Sequence, residues 1–468
     1  MTQYIFFSVV FFLQIQAVPA ATVYSQPADS GVAQGNDFWK VTVDGASVPV
    51  YQAVVHDDGP TYFCSFDFTG TVTVCAEPTS ELSGPILRPL STGVAVQTNA
   101  DHTIQFDIAQ PGQYCLEARS YSYAQPLCIF ANPPEENIPE ADDPSVLYYG
   151  PGYHDVTTIS MGNKTTLYLA GGSYLKVRVP ENEVPVLESD TFGMPKWASM
   201  LYRNGRTNVS VRGRGIIDLS AVPWHGRQPF VFQSCTNVTV EGITVIDSPS
   251  WTMSFGNCED VFINNVKLIG HRQNSDGIDI VSSRNVAVSN CFVRTGDDGI
   301  CVKSIGYAAS GIQVENCVLW NDRVRAIGVC GESACAIQDV TFRDIDILHS
   351  LSSFSGSYCM AVYINQQGPV ENVLFENIRV EAASKLIRVG IKNTALSTAS
   401  SSSISNVIFR NIQYSGKTMP SSEVRGAGSN YRVKNVLFDN VTFDGKKATS
   451  ASSANLTVGD YVNGVSFQ

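Results

Sequence analysis

Two acidic segments in the middle of the chain invite a chemical reading. Asn274–Val281 reads NSDGIDIV and Thr295–Lys303 reads TGDDGICVK. Asp276 stands 21 residues before Asp297 and 22 before Asp298. If the chain coils with about that period, three carboxylates from adjacent turns lie side by side, because rungs of a parallel sheet are ~4.8 Å apart. Like charges gathered this way are unfavourable unless a proton, a cation or a substrate uses them. Mutual repulsion raises at least one pKa and so keeps an acid available near neutral pH.

Acid-assisted hydrolysis of a glycosidic bond suits such a set. The plainer reading is a run of turn aspartates or a calcium site. Calcium, however, usually gathers carboxylates and carbonyls around one loop, and neither a metal nor a cofactor is expected here. Strand alternation places Asp298 beside Asp276 and turns Asp297 to the other side, leaving the ~6.5–9.5 Å gap that a base-held water requires.

A repeat supplies the coils that would position these groups. From Asn208 onward the chain returns to one unit: NVSVRG, NVTVEG (Asn237), DVFINN (Asp260), NVAVSN (Asn285), GIQVEN (Gly311), DVTFRD (Asp339), NVLFEN (Asn372), NVIFRN (Asn406) and NVLFDN (Asn435). Intervals of 23 to 34 residues, β-branched strands and no helical periodicity predict a solenoid of parallel strands. Asn and Asp at the corners fit turn chemistry and stacked side-chain ladders.

Aligning the aliphatic positions gives two inward stacks, Met253/Ile278/Ile300/Ile327/Val362 and Phe255/Ile280/Val302/Val329/Ile364. Trp251, Asp276, Asp298 and Arg325 then form one column, with Lys303, Arg323 and Tyr363 nearby. Lys303, Arg323 and Arg325 could hold an anionic sugar or neutralise the aspartates. Trp251 and Tyr363 could stack on sugar rings. Core packing is the plainer role for Trp224 and Trp320, and a turn position for His271.

The chain has 468 residues, 44% of them hydrophobic, enough for a large core and two domains. Residues 22–132 read as short strands separated by turns, an antiparallel β-sandwich. Residues 133–144 form a Pro- and acid-rich linker, and residues 145–468 the right-handed parallel β-helix, so the fold class is all-β. A net charge of −12 argues against nucleic acid or an anionic membrane as partner.

Residues 1–20 read as a cleaved secretory signal, which predicts an extracellular protein with no membrane association after cleavage. It is expected to be a monomer acting on a polysaccharide. Twelve cysteines fit secretion. Cys330 and Cys335, around a tight GESA loop, are expected to bridge, and Cys64, Cys75, Cys115 and Cys128 to form two local bridges. Asn163, Asn208, Asn237, Asn440 and Asn455 head glycosylation sequons, although Asn208 and Asn237 also open repeat strands.

Around the aspartates the chain resembles the β-helical glycosidases of glycoside hydrolase family 28, the polygalacturonases and rhamnogalacturonases. These carry N-T-D-G and, one coil later, a D-D pair; here stand Asn274-Ser275-Asp276-Gly277 and Gly296-Asp297-Asp298-Gly299. The resemblance implies inverting hydrolysis, with Asp297 as acid, Asp276 and Asp298 activating water, and Asn274 among the substrate contacts. Two departures stand out. The family's Gly-His-Gly falls on DRVRAIGVCG (Asp322–Gly331), which has Arg323 and Arg325 but no histidine. The family's Arg-Ile-Lys falls near Val362–Asn365, VYIN, with Arg388 and Lys392 one coil beyond. NDRVRAIG also resembles family 49, the dextranases and isopullulanase, which join a β-sandwich to a β-helix. A neutral α-glucan is therefore an alternative substrate, and a polysaccharide lyase or a non-catalytic matrix protein are the alternative functions.

Overall fold

The computed structural model describes residues 21–28, 38–56, 59–118, 125–392 and 401–468. The expected signal segment lies outside them. Beyond the linker the chain winds into a right-handed parallel β-helix with three long sheets of 12, 12 and 10 strands. One coil shows the pattern: Met253–Gly256 in the site sheet, Glu259–Asn264 in the second sheet and Lys267–Ile269 in the third. The next coil starts at Ile278 and pairs in register, Met253 on Ile278 and Phe255 on Ile280. Alternate residues point into the lumen, where Val, Ile, Leu and Phe from every coil form one continuous core.

The repeated Asn and Asp have a backbone reason. Asn208, Asn237, Asp260, Asn285, Asp339, Asn372, Asn406 and Asn435 all sit at φ between 53° and 59°, the left-handed region that Asn and Asp tolerate best after glycine. Their side chains also bond up the stack, Asn237 Nδ2 to Asn208 Oδ1 at 2.6 Å and Asn435 Nδ2 to Asn406 Oδ1 at 3.1 Å. Asn208 and Asn237 are thus ladder rungs whatever else their sequons do. Inside, Phe342, Phe375, Phe409, Phe438 and Phe467 stack ring on ring at 4.9–5.4 Å.

The N-terminal strands make two facing sheets of six and five strands. All their pairs are antiparallel except Leu127–Asn132, which runs parallel to Gly59–Phe68. This body rests on the outer face of the third sheet. Tyr51, Phe63 and Phe130 pack against Tyr174, Ile216, Ile246, Ile269, Phe292, Val318, Trp320 and Leu348, residues that climb the helix coil by coil. Buried polar contacts lock the seam: Arg214 on Asp67 at 2.9 Å and Lys267 Nζ on Asn132 Oδ1 at 2.5 Å.

Two expectations need correction. The lumen stack runs Met253, Ile278, Ile300, Ile327 and then Met360, with Val362 beside Val329. The last rung is therefore two residues earlier than predicted, the coil from Ile327 to its partner being two residues shorter than the aliphatic alignment implied. The cysteine neighbours also differ in part from those expected, and none is bridged among the described residues. Cys330 lies on the outer face against Cys301, while Cys335 is in the bend beyond the strand, its backbone bonded to Ser304. Cys115 and Cys128 do face each other across paired strands. Cys64 and Cys75 belong to different sheets.

Candidate active site

Ile278–Val281 and Ile300–Ser304 are neighbours in the site sheet, and each is preceded by an aspartate and a glycine. The glycines are required by close approach. A Cβ on Gly277 would meet Gly299 O at 2.4 Å, and one on Gly299 would meet Ala326 O at 2.4 Å. Backbone bonds then tie the turns together, Gly277 N–H to Asp298 O at 2.9 Å and Gly299 N–H to Arg325 O at 2.8 Å. Trp251, Asp276, Asp298 and Arg325 consequently occupy one column, as the repeat predicted, and Tyr358 continues it.

Asp276, Asp297 and Asp298 converge, each offering a carboxylate oxygen within 4.8 Å of the others. Two cations hold this set together. Lys303 Nζ is 2.8 Å from Asp276 and 2.7 Å from Asp279, and Arg325 Nη1 reaches both oxygens of Asp298 at 2.9 and 3.0 Å. Lys303 is buried at 2% exposure and lies under the Trp251 ring, 3.8 Å from its centre. Burial alone would strip its proton, but Asp276 and Asp279 outweigh that and hold the ammonium well above its usual range. With an ammonium and a guanidinium already on the carboxylates, a metal ion entering the cluster would meet two fixed positive charges.

Asp297 has no cation partner among the described residues. Its oxygens accept from backbone donors, Asp298 N–H at 3.0 Å and Asn274 N–H at 3.3 Å. Burial, followed by the charges of Asp276 and Asp298, pushes its carboxyl up to about 8. The site therefore holds a protonated acid at neutral pH between two carboxylates fixed by cations. Asp276 is also raised, by burial first and Asp298 next, against the pull of Lys303.

Alternation does not turn Asp297 away, contrary to expectation. It sits in the bend before Ile300, where strand alternation does not apply, and it joins the other two. Arg323 is likewise misplaced by the repeat. It is exposed and lines a separate recess of about 500 Å³ with His271, Thr295 and Phe354. Tyr363 is at the site, half-buried, with Arg325 5.9 Å and Arg388 3.9 Å from its ring. The floor between these groups is kept low by Cys301, Gly328 and Ala361, which face outward on successive strands.

Sequence reasoning passed over Asp279. It was legible as the outward residue of IDIV, an acid between two lumen isoleucines. His225 was also missed, and nothing local in the sequence signals it. It arrives from an earlier coil and meets Asn274, its Nε2 2.7 Å from the amide nitrogen. Arg388 pairs with Glu423 at 3.5 Å and was seen only as a residue one coil beyond the site.

With fold and site in view, the comparisons are consistent. Residues 224–462 match the family described as glycosyl hydrolases family 28, and the chain belongs to that family. A probable polygalacturonase of Arabidopsis thaliana is 28% identical over 210 residues, 41% of this chain and 45% of that protein. A probable exopolygalacturonase B of Aspergillus terreus is 24% identical over 266 residues, covering 49% and 60%. The chain thus spans about half the length of the curated relatives it matches. In shape it is similar to Dex49A from Penicillium minioluteum, with a TM-score of 0.67 over 96% of both chains at 16% identity. An exopolygalacturonase from Thermotoga maritima gives 0.51 at 19% identity over 68% of this chain and 84% of that one. These structural likenesses establish the fold. Among the described residues no helix is long and apolar enough to cross a membrane.

Proposed function

We propose that this chain is a secreted, polygalacturonase-like glycosidase that cleaves O-glycosidic bonds of a polysaccharide with inversion. Asp297 is the general acid, and Asp276 and Asp298 activate water. The observation that carries the reading is the proton on Asp297, whose carboxyl is pushed up to about 8 between two carboxylates engaged by Lys303 and Arg325.

Inversion is supported by those cations rather than by spacing. The carboxylates approach within 4.8 Å, closer than the ~6.5–9.5 Å of a simple acid–base pair. A covalent sugar ester on Asp276 would strip Lys303 of one of its two anions, and one on Asp298 would leave the buried Arg325 without its partner. Accepting a hydrogen from water keeps both ion pairs. Proton NMR of the first-formed product, read before mutarotation, should show the anomeric configuration opposite to the cleaved bond. Initial retention, or a trapped glycosyl-enzyme, would refute the roles of all three residues.

Polygalacturonan is the favoured substrate class, with Arg388, stacked on Tyr363 and paired to Glu423 at 3.5 Å, as the cation that would meet a uronate. A neutral α-glucan is the second reading, because Lys303 and Arg325 are already engaged by aspartates. Reducing-end assays on polygalacturonan, dextran and pullulan separate the two. Saturated ends mark hydrolysis, and absorbance from a new double bond would mark a lyase. Arg325→Ala should lower kcat/KM equally on charged and neutral substrates, since its guanidinium serves Asp298. A loss confined to charged substrates would make Arg325 a substrate ligand instead.

A further inference from the structure

The coil after the paired aspartates has no histidine, yet an imidazole reaches the site by another route. His225 lies in the turn before Phe230–Gln233, two strands ahead of Ile278–Val281 in the site sheet. Its ring is 4% exposed and bonded at both nitrogens. Nδ1 is 2.8 Å from Asp190 Oδ2, and Nε2 is 2.7 Å from Asn274 Nδ2. The backbone N–H of Asn274 then reaches Asp297 Oδ2 at 3.3 Å. Phe192 and Trp224 close over the ring, with centroids at 4.7 and 4.3 Å.

Asp190 is well placed to orient the imidazole. It accepts N–H bonds from Phe192 at 2.8 Å and Met194 at 3.0 Å, and Lys196 lies 3.8 Å away. Burial opposes its charge, but Met194, the His225 ring and Phe192 together hold its carboxyl down to about 2. An ionised carboxylate only accepts, so Nδ1 donates to it, and Nε2 faces the Asn274 amide nitrogen as its acceptor. Both joints of the chain are in the left-handed region, His225 at φ 61° and Asn274 at φ 60°. Such conformations persist where surrounding contacts over-determine them, and they cluster at functional sites.

We propose that His225, held by Asp190, is a positioning residue that fixes Asn274 and through it the carboxyl of Asp297. This rests on reading Asp297 as the acid. His225 does not touch the reacting bond. It keeps the Asn274 turn rigid, so that the N–H groups of Asn274 and Asp298 grip the two oxygens of Asp297 from fixed directions. No proton leaves the chain of contacts during turnover.

The test compares His225→Leu with His225→Gln. Both carry the same backbone cost at a left-handed φ, but only glutamine offers an oxygen to the Asn274 amide. His225→Leu should lower kcat by roughly 10²-fold, the scale of a misplaced catalytic group, with KM nearly unchanged. His225→Gln should recover most of that loss. Equal kcat in the two folded variants, or a change confined to KM, would overturn the proposal. ¹⁵N-histidine NMR of the unmodified protein provides a readout that needs no substrate: His225 should be neutral, protonated at Nδ1, and Asp190→Asn should disturb that state. An Nε2–H tautomer would overturn the positioning role. Failure to cleave any polysaccharide would instead overturn Asp297 as acid.

Discussion

Asp297→Asn should cost roughly 10²–10⁴-fold in turnover, the usual contribution of a general acid, while making the protein more stable. The two effects share one cause. The Asp297 carboxyl is raised to about 8 by burial and by Asp276 and Asp298, against ~3.9 for a free aspartate. Between those values the folded chain keeps a proton that the unfolded chain releases. Stability is therefore lost progressively as pH rises from about 4 through about 8. Asparagine does not titrate and avoids that loss. Its advantage in Tm should be absent below about pH 4, grow across the window and level off above it, at up to ~2–4 °C per kcal/mol recovered. The wild-type kcat should fall on the alkaline side as the same proton leaves. Wild-type turnover in the asparagine variant, or a Tm gain independent of pH, would count against this account.

Lys303→Met should do the opposite damage. Lys303 is the buried cation shared by Asp276 and Asp279, and methionine keeps much of its volume under Trp251 while removing the charge. Stranding a buried partner typically costs ~3–5 kcal/mol, a large fraction of the stability of a folded domain. Asp276 and Asp279 are already raised by burial, and without the ammonium they rise further. A raised carboxyl destabilises the fold above the pKa of the free group, so the variant should regain stability as the buffer is made acidic. Thermal unfolding from pH 4 to 8 tests this. A variant as stable as wild type at neutral pH would mean that the carboxylates do not depend on Lys303.

Much of this site can be read from the sequence because the solenoid makes distant segments equivalent. Ile278 and Ile300 face the lumen, so the residues two positions before them must share a column, and that logic brought Trp251, Asp276, Asp298 and Arg325 together. It works where backbone bonds keep successive coils in register just ahead of the strands, as Gly277 N–H to Asp298 O and Gly299 N–H to Arg325 O do. Asp297 lies in a bend, and its direction is set by the N–H groups of Asn274 and Asp298, which no alternation rule describes. Arg323 is in the next bend and goes to the neighbouring recess for the same reason. Register failed at Met360 because the length of the preceding turn is not encoded in the strand pattern. Cysteine spacing says little about neighbours here, because Cys330 belongs to a strand and faces Cys301 on the preceding coil, while Cys335 lies in the bend after it.

The seam between the two bodies has a mechanical consequence. A solenoid coil is held chiefly by its two neighbours, so an unbraced stack can unzip from either end. The sandwich grips the third sheet from Tyr174 to Leu348, and the coils bearing Trp251, Asp276, Asp298 and Arg325 all fall inside that span. It works as a splint along the reactive part of the stack. Beyond Leu348 the sandwich still reaches Glu381, through Arg88 and the Leu90 N–H at 2.7 Å, so loosening that starts in the coils past Glu381 is arrested before it reaches the aspartates.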